Sequence, residues 1–282
     1  AGVETNAGVQ SGLRLAKIST AGLARVHYHL GDLFGNPWPY VETSCDQPYI
    51  GCYISQAANW QVDEEGARGM GSGPACIKAL AEIFNAEGFS DPSDCAVLLL
   101  ETNQLPNEQS RRRLAEVCGV RPDYFVLLAA RTSSLAGSVQ IASRSVETAL
   151  HKLHQSEFDL KNIQSAVGVC PVAPPSGSDL VSMGKTNDVM LFGARVWLVV
   201  DNVNEAKLEK VIQQVPSSTS PAYGRPFLDI LKESSGFYNI DPGLFAPAEV
   251  LCVHASSGKT FSAGKVDENR LRAALFGGSD EQ

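Results

Sequence analysis

Between residues 94 and 173 the chain alternates short apolar runs with amphipathic stretches of roughly a dozen residues, a rhythm that few architectures satisfy. Residues 94–101 read as a strand, 107–118 as a helix and 123–130 as a second strand. A helix then extends to about His154, and 163–173 form the next strand. A strand that returns after a crossover helix can pair in parallel, so the order implies an α/β protein of mixed layers. Upstream, the pattern predicts a helix over 9–18, a strand over 23–30, a Gly/Pro-rich loop over 31–39 and a short strand over 41–44. A helix opened by Pro48 then runs to about Trp60, and a glycine loop, 69–73, precedes a helix over 75–85 with Pro74 at its start. Downstream come a Pro/Gly/Ser-rich connection at 171–178, a strand over 189–200 and a helix over 205–215. A helix over 227–233, a hairpin of 249–255 with 260–263 and a helix over 268–276 complete the chain.

At 282 residues the chain can bury a large core, as one domain or two lobes. A net charge of −8, with no cationic run longer than Arg111-Arg112-Arg113, argues against a nucleic-acid surface. No apolar stretch reaches the ~20 residues that span a bilayer. The seven cysteines form no CxxC pair and their number is odd, which fits free thiols in a reducing, cytoplasmic setting. The chain begins at Ala1 rather than Met, and a natural N-terminal segment is expected to have been lost or removed.

Candidate chemistry concentrates in residues 124–154. The apolar run 124–130 breaks into the hydroxyl loop Thr132-Ser133-Ser134, and a helix follows with Ala142, Val146, Ala149, Leu150 and Leu153 on one face. The opposite stripe carries Arg144, Glu147, His151 and His154. Side chains three or four apart share a helical face, so Arg144 and Glu147 can meet and point into one space. A carboxylate steadied by a guanidinium beside hydroxyls and free helix-start amides suits acid–base work. A solvated charged stripe explains the same spacing. So does a metal site of Glu147, His151 and His154, although the HExxH order is missing.

Other signals carry less. Gly184-Lys185-Thr186 and Gly258-Lys259-Thr260 end like phosphate loops but lack the upstream glycine at the required spacing. The 69–73 loop could cradle an anion or simply turn into a helix. His254, inside a strand, reads as a core histidine.

Seven segments in order carry a family resemblance: GMGSGPA at 69–75, AGSVQIASR at 136–144, RSVETALHK at 144–152, CPVAP at 170–174, MGKTND at 183–188, TSPAYG at 219–224 and GKTF at 258–261. Together they resemble the methenyltetrahydromethanopterin cyclohydrolases of one-carbon metabolism in methanogens and methylotrophs. The resemblance implies a two-lobed α/β protein, a homotrimer, with a substrate cleft between the lobes. The lobes are expected as 1–92, shared with 190–282, and a central 93–189 carrying the R-x-x-E helix. It implies no cofactor, no metal and no nucleotide, the pterin one-carbon carrier being the substrate. It matches Arg144 and Glu147 to the family's catalytic R-x-x-E. With that chemistry, Thr132, Ser133, Ser134 and Gln140 are expected to contact the pterin, with Ser72, Gly73, Asn187 and Asp188. Cys76 stands where archaeal relatives carry Arg, which favours a carrier with a shorter tail. A metal-dependent amidohydrolase and a non-catalytic pterin-binding paralogue are the alternatives.

Overall fold

The computed structural model describes residues 1–56, 60–86, 88–234 and 236–277. Two sheets organise them. After helix α1 (Val9–Ser19), strands β1 (Arg25–Leu33) and β2 (Asn36–Cys45) form a hairpin. Strands β3 (Trp60–Glu64), β4 (Ala67–Ser72), β5 (Ala96–Glu101) and β6 (Phe125–Ala130) build a four-stranded sheet in that order, with only the β5–β6 pair parallel. Short helices α2 (Ala75–Ala79) and α3 (Ala81–Ala86) follow β4, and α4 (Glu108–Val117) is the crossover between β5 and β6. Helices α5 (Leu135–Ala142) and α6 (Ser145–Gln155) lead to β7 (Ile163–Pro171), α7 (Asp179–Gly193) and β8 (Arg195–Val200). Then come α8 (Glu205–Ile212), α9 (Phe227–Glu233), β9 (Glu249–His254), β10 (Thr260–Gly264) and α10 (Glu268–Phe276). The six-stranded sheet runs β1-β2-β7-β8-β9-β10, parallel only between β8 and β9.

The mixed α/β class is as the alternation implied, but several boundaries differ for identifiable reasons. The expected loop at 31–39 is the β1–β2 hairpin itself, turned at Phe34 (φ 56°) and Gly35 (φ 80°). Two adjacent left-handed residues match the twist of an antiparallel pair. Pro37 and Pro39 are tolerated because β7 joins β2 only from Tyr40, leaving that stretch of β2 open on one side. The expected strand at 189–200 is helical as far as Gly193. Val189, Met190, Leu191 and Phe192 are all buried, so the end of α7 shows no polar face and reads as a strand. The glycine loop 69–73 is largely strand β4. The helix from Pro48 is a single π-helical turn, Tyr49–Ile54, and its expected continuation over 57–59 lies outside the described residues. The helix expected over 75–85 breaks at Leu80 (φ −114°, ψ 38°).

Residues 60–130 form the four-stranded sheet, whereas α6 packs on the six-stranded one. Val146, Ala149, Leu150 and Leu153 of α6 are fully buried with Ile163, Ala166, Val196 and Leu198 of that sheet, the spacing of one helical face. Leu150→Ala should therefore cost about 2–5 kcal/mol of folding free energy, read from the denaturant midpoint. Among the described residues, no helix is long and apolar enough to cross a membrane. Six cysteines are buried and Cys95 is exposed. Cys76 is fully enclosed, so it can meet no solvent-borne tail. His254 is a core histidine, its Nε2 3.0 Å from the Val203 carbonyl. Lys185 of the first discarded phosphate-loop motif lies within α7, and the second motif straddles the β9–β10 turn.

Candidate active site

The single helix expected through Arg144 is two helices. Thr43 Oγ1, on β2, donates to the Ser143 carbonyl (2.9 Å), the acceptor that a continuous helix would offer to residue 147. The backbone turns at Arg144 (φ −87°, ψ 8°), and Arg144 becomes the residue that precedes α6. Glu147 falls in the first turn, where the helix dipole favours a carboxylate. Arg144 Nε donates to Glu147 Oε2 at 3.1 Å, with side chains only 13% and 15% exposed. An Arg144 Nη2 donates to the Gln56 carbonyl, which a longer helix from Pro48 would bond internally. The guanidinium thus ties α6 to the segment before β3 while holding the carboxylate.

Both side chains line a cavity of about 260 Å³. Its walls come from β4 (Met70, Ser72), from the parallel pair β5 and β6 (Leu99, Glu101, Ala130), and from α5 and α6 (Gly137, Gln140, Ile141, Thr148, His151). Met183, Asn187 and Met190 of α7, Tyr53, and the segment 237–245 with Phe237, Tyr238 and Phe245 complete it. Closeness of β4 to β5 depends on glycine. A Cβ on Gly69 would sit 2.1 Å from the Glu101 carbonyl oxygen, so any larger residue would push the two strands apart at the cavity wall.

Of the residues expected to contact a ligand, Ser72, Gln140 and Asn187 line the cavity. The others are held elsewhere. Ser133 N–H donates to Asp179, whose carboxylate also takes Arg131, and Ser134 caps α5 through the Gly137 N–H. Gly73 (φ 94°) forms the bend into α2, which at five residues offers no anion cradle. Asp188 Oδ1 accepts from the Phe227 N–H (2.9 Å) and so fixes the start of α9. Thr132 reaches the cavity indirectly, donating to Glu101. The metal set fails on geometry. His151 lines the cavity, but His154 packs on the Tyr53 ring at 5.1 Å, and among the described residues no three His, Cys, Asp or Glu side chains converge on a point.

Glu101 went unnoticed in the sequence. The available signal was a carboxylate ending the apolar run 96–101, because ligands of parallel sheets gather at strand C-termini. The aromatic wall from 237–245 had no local signal at all. Electrostatically, Glu101 and Glu147 outnumber Arg144, so with both carboxyls ionised the cavity carries net charge −1. Burial pushes the His151 pKa below its usual value, against the pull of Glu147, which leaves a neutral imidazole at pH 7. Such a chamber favours a cationic ligand.

Away from the cavity, burial raises the Asp188 carboxyl to about 7 against the helping Phe227 N–H. A carboxyl raised on folding makes the native state bind more protons, so stability should fall as pH rises from about 4 to about 7. Asp188→Asn, which can still accept from Phe227, should flatten that slope by a few kcal/mol in melts across the range, on the order of 1.4 kcal/mol per pKa unit.

Residues 1–275 match the model of the family described as Cyclohydrolase (MCH). The chain is 38% identical to methenyltetrahydromethanopterin cyclohydrolase of Methanococcoides burtonii, over 96% of its own length and 85% of the relative's. It is 40% identical to the enzyme of that name from Methanocella arvoryzae (94% and 84% covered) and 37% identical to that of Methylobacillus flagellatus (96% and 83%).

Proposed function

The chain belongs to the cyclohydrolase (MCH) family, and from that premise we infer that it hydrolyses N5,N10-methenyl-tetrahydromethanopterin, or a shorter-tailed form of that carrier, to the N5-formyl compound. The observation that carries the reading to these residues is the Arg144–Glu147 ion pair at the wall of the cavity. At about 260 Å³ the cavity lies near the low end of ligand pockets, which suits a ring system with its tail outside.

The methenyl carbon lies between two nitrogens in an amidinium-like cation. It is therefore electrophilic before any catalyst acts and needs no Lewis acid to polarise it. Water attacks this carbon while Glu147 takes one proton from the attacking oxygen. The resulting carbinolamine collapses as Glu147 returns that proton to N10, the C–N10 bond breaks, and the hydroxyl proton leaves to solvent as the formyl C=O forms. Glu147 also stabilises the bound cation by its charge, and Arg144 fixes the direction of the carboxylate. Asn187, Ser72 and Gln140 supply polar contacts around the rings.

Purified protein should hydrolyse the methenyl carrier, read as loss of the methenyl absorbance, and should retain that turnover after dialysis against a chelator. Faster hydrolysis of methenyl-tetrahydrofolate would overturn the substrate and leave the reaction class. Abolition by the chelator, with recovery on adding a metal, would overturn the metal-free mechanism.

A further inference from the structure

Hydrolysis of a methenyl cation sets a proton count that Glu147 alone does not close. The attacking water brings two protons. Glu147 takes one and returns it to N10; the other, on the carbinolamine hydroxyl, must leave the cavity as the formyl C=O forms. Once the ring system fills the cavity, that proton needs an acceptor there which also reaches bulk water. Among the described residues, the titratable side chains on the cavity besides Glu147 are Tyr53, Glu101, Arg144, His151 and Tyr238. Arg144 keeps its protons at any working pH. Phenols are poor acceptors near neutrality, and burial pushes Tyr238 up to about 12. Glu101 is bonded to the Thr132 hydroxyl, itself buried, so a proton placed there would stay inside.

His151 meets both requirements. It follows Glu147 by four residues on the same face of α6 and lines the cavity. Its Nε2 also lies 3.3 Å from Nε2 of Gln155, an exposed side chain one turn further on. A glutamine can offer its amide to the neutral ring or its carbonyl to the protonated one, so this contact persists in either state. Lys152, next in sequence, donates to the Gly243 carbonyl (2.7 Å) and is favoured as a cation by Asp241, and His154 lies on the Tyr53 ring. We propose that His151 is the proton outlet of the site. As the carbinolamine collapses, the C–N10 electron pair goes to N10, which takes the proton held by Glu147. The O–H pair becomes the second bond of C=O, and the hydroxyl proton passes to His151. The imidazolium then gives it to bulk water beside Gln155. This rests on the cyclohydrolase reading for its chemistry. Before the collapse, burial and the charges of His154 and Lys152 keep the ring neutral, so it does not repel the incoming cation. Afterwards the positive charge that arrived on the methenyl carbon sits on the imidazole, where Glu147, ionised again, stabilises it.

The test compares wild type, His151→Gln and His151→Ala at saturating methenyl carrier in a dilute, bulky buffer. Both variants should lose about 10²-fold in kcat with KM little changed, and thermal melts on the same samples report folding. Imidazole added to His151→Ala should recover much of kcat in a saturable way, because the free ring enters the vacated space. Wild type and His151→Gln, which offer no such space, should not respond. Rescue should grow as pH rises and the free imidazole loses its proton, since only the neutral form accepts. In the wild type, kcat should fall on acidification through a pKa below the usual histidine value, a limb that His151→Gln should lack. Full kcat in His151→Ala without imidazole, a loss that imidazole does not relieve, or a wild-type profile without that limb would overturn the assignment. The wild-type profile decides even if neither variant folds. A wild type that hydrolyses no methenyl carrier would instead overturn the hydrolase reading.

Discussion

Glu147→Gln should fold normally and turn the methenyl carrier over ~10²- to 10⁴-fold more slowly. The amide keeps the shape of the side chain and can still accept from Arg144, whose Nε now lies 3.1 Å from the carboxylate. It cannot take a proton from water, and it removes the negative charge facing the cationic carbon. The lost base falls on kcat, whereas the lost charge, which stabilises the bound cation, weakens substrate binding. The measurement is the initial rate of absorbance loss at saturating substrate, with affinity from the concentration dependence. A rate within a few-fold of the wild type would take Glu147 out of the chemistry.

Arg144→Ala should lose turnover to a similar degree but, unlike Glu147→Gln, should also lose stability. The guanidinium, at the start of α6, has two structural duties, holding Glu147 and donating to the Gln56 carbonyl. Removing it leaves a mostly buried carboxylate and a backbone acceptor without their donor, which costs about 1–3 kcal/mol for each unsatisfied group. Arg144→Lys should recover only part, since an ammonium lacks the fork that serves two acceptors in different directions. Rates and thermal melts on the same samples separate the two duties. An Arg144→Ala protein that melts like the wild type would show that the Gln56 contact carries no stability, and near-normal turnover would remove Arg144 from the site.

The two variants differ because one residue lies inside a helix and the other at a break, and only the first was legible locally. The periodicity of Val146, Ala149, Leu150 and Leu153 places Glu147 off the buried face of α6 from spacing alone. The break at Ser143 comes from Thr43, a hundred residues away on β2, so nothing in the local pattern could announce it. The same division runs through the hydroxyl loop. Thr132, Ser133 and Ser134 look like ligand contacts in sequence. In the fold, Ser134 caps α5, Ser133 is bound to Asp179 and Thr132 is turned to Glu101. Short polar side chains serve turns and caps as readily as ligands, and which use prevails depends on neighbours brought in from elsewhere.

By itself the sequence determined the α/β class, the amphipathic faces, the Arg144–Glu147 spacing and, through its ordered motifs, the family. These properties depend on residues near one another in the chain, where periodicity and turn chemistry act directly. Only the tertiary structure decided that 189–193 is helix, that Asp188 fixes α9, and that Glu101, Gln140 and the aromatic segment 237–245 share a cavity with the ion pair. Those outcomes turn on burial and on hydrogen-bond partners tens to hundreds of residues distant, and a side chain's surroundings are not written in its neighbours along the chain.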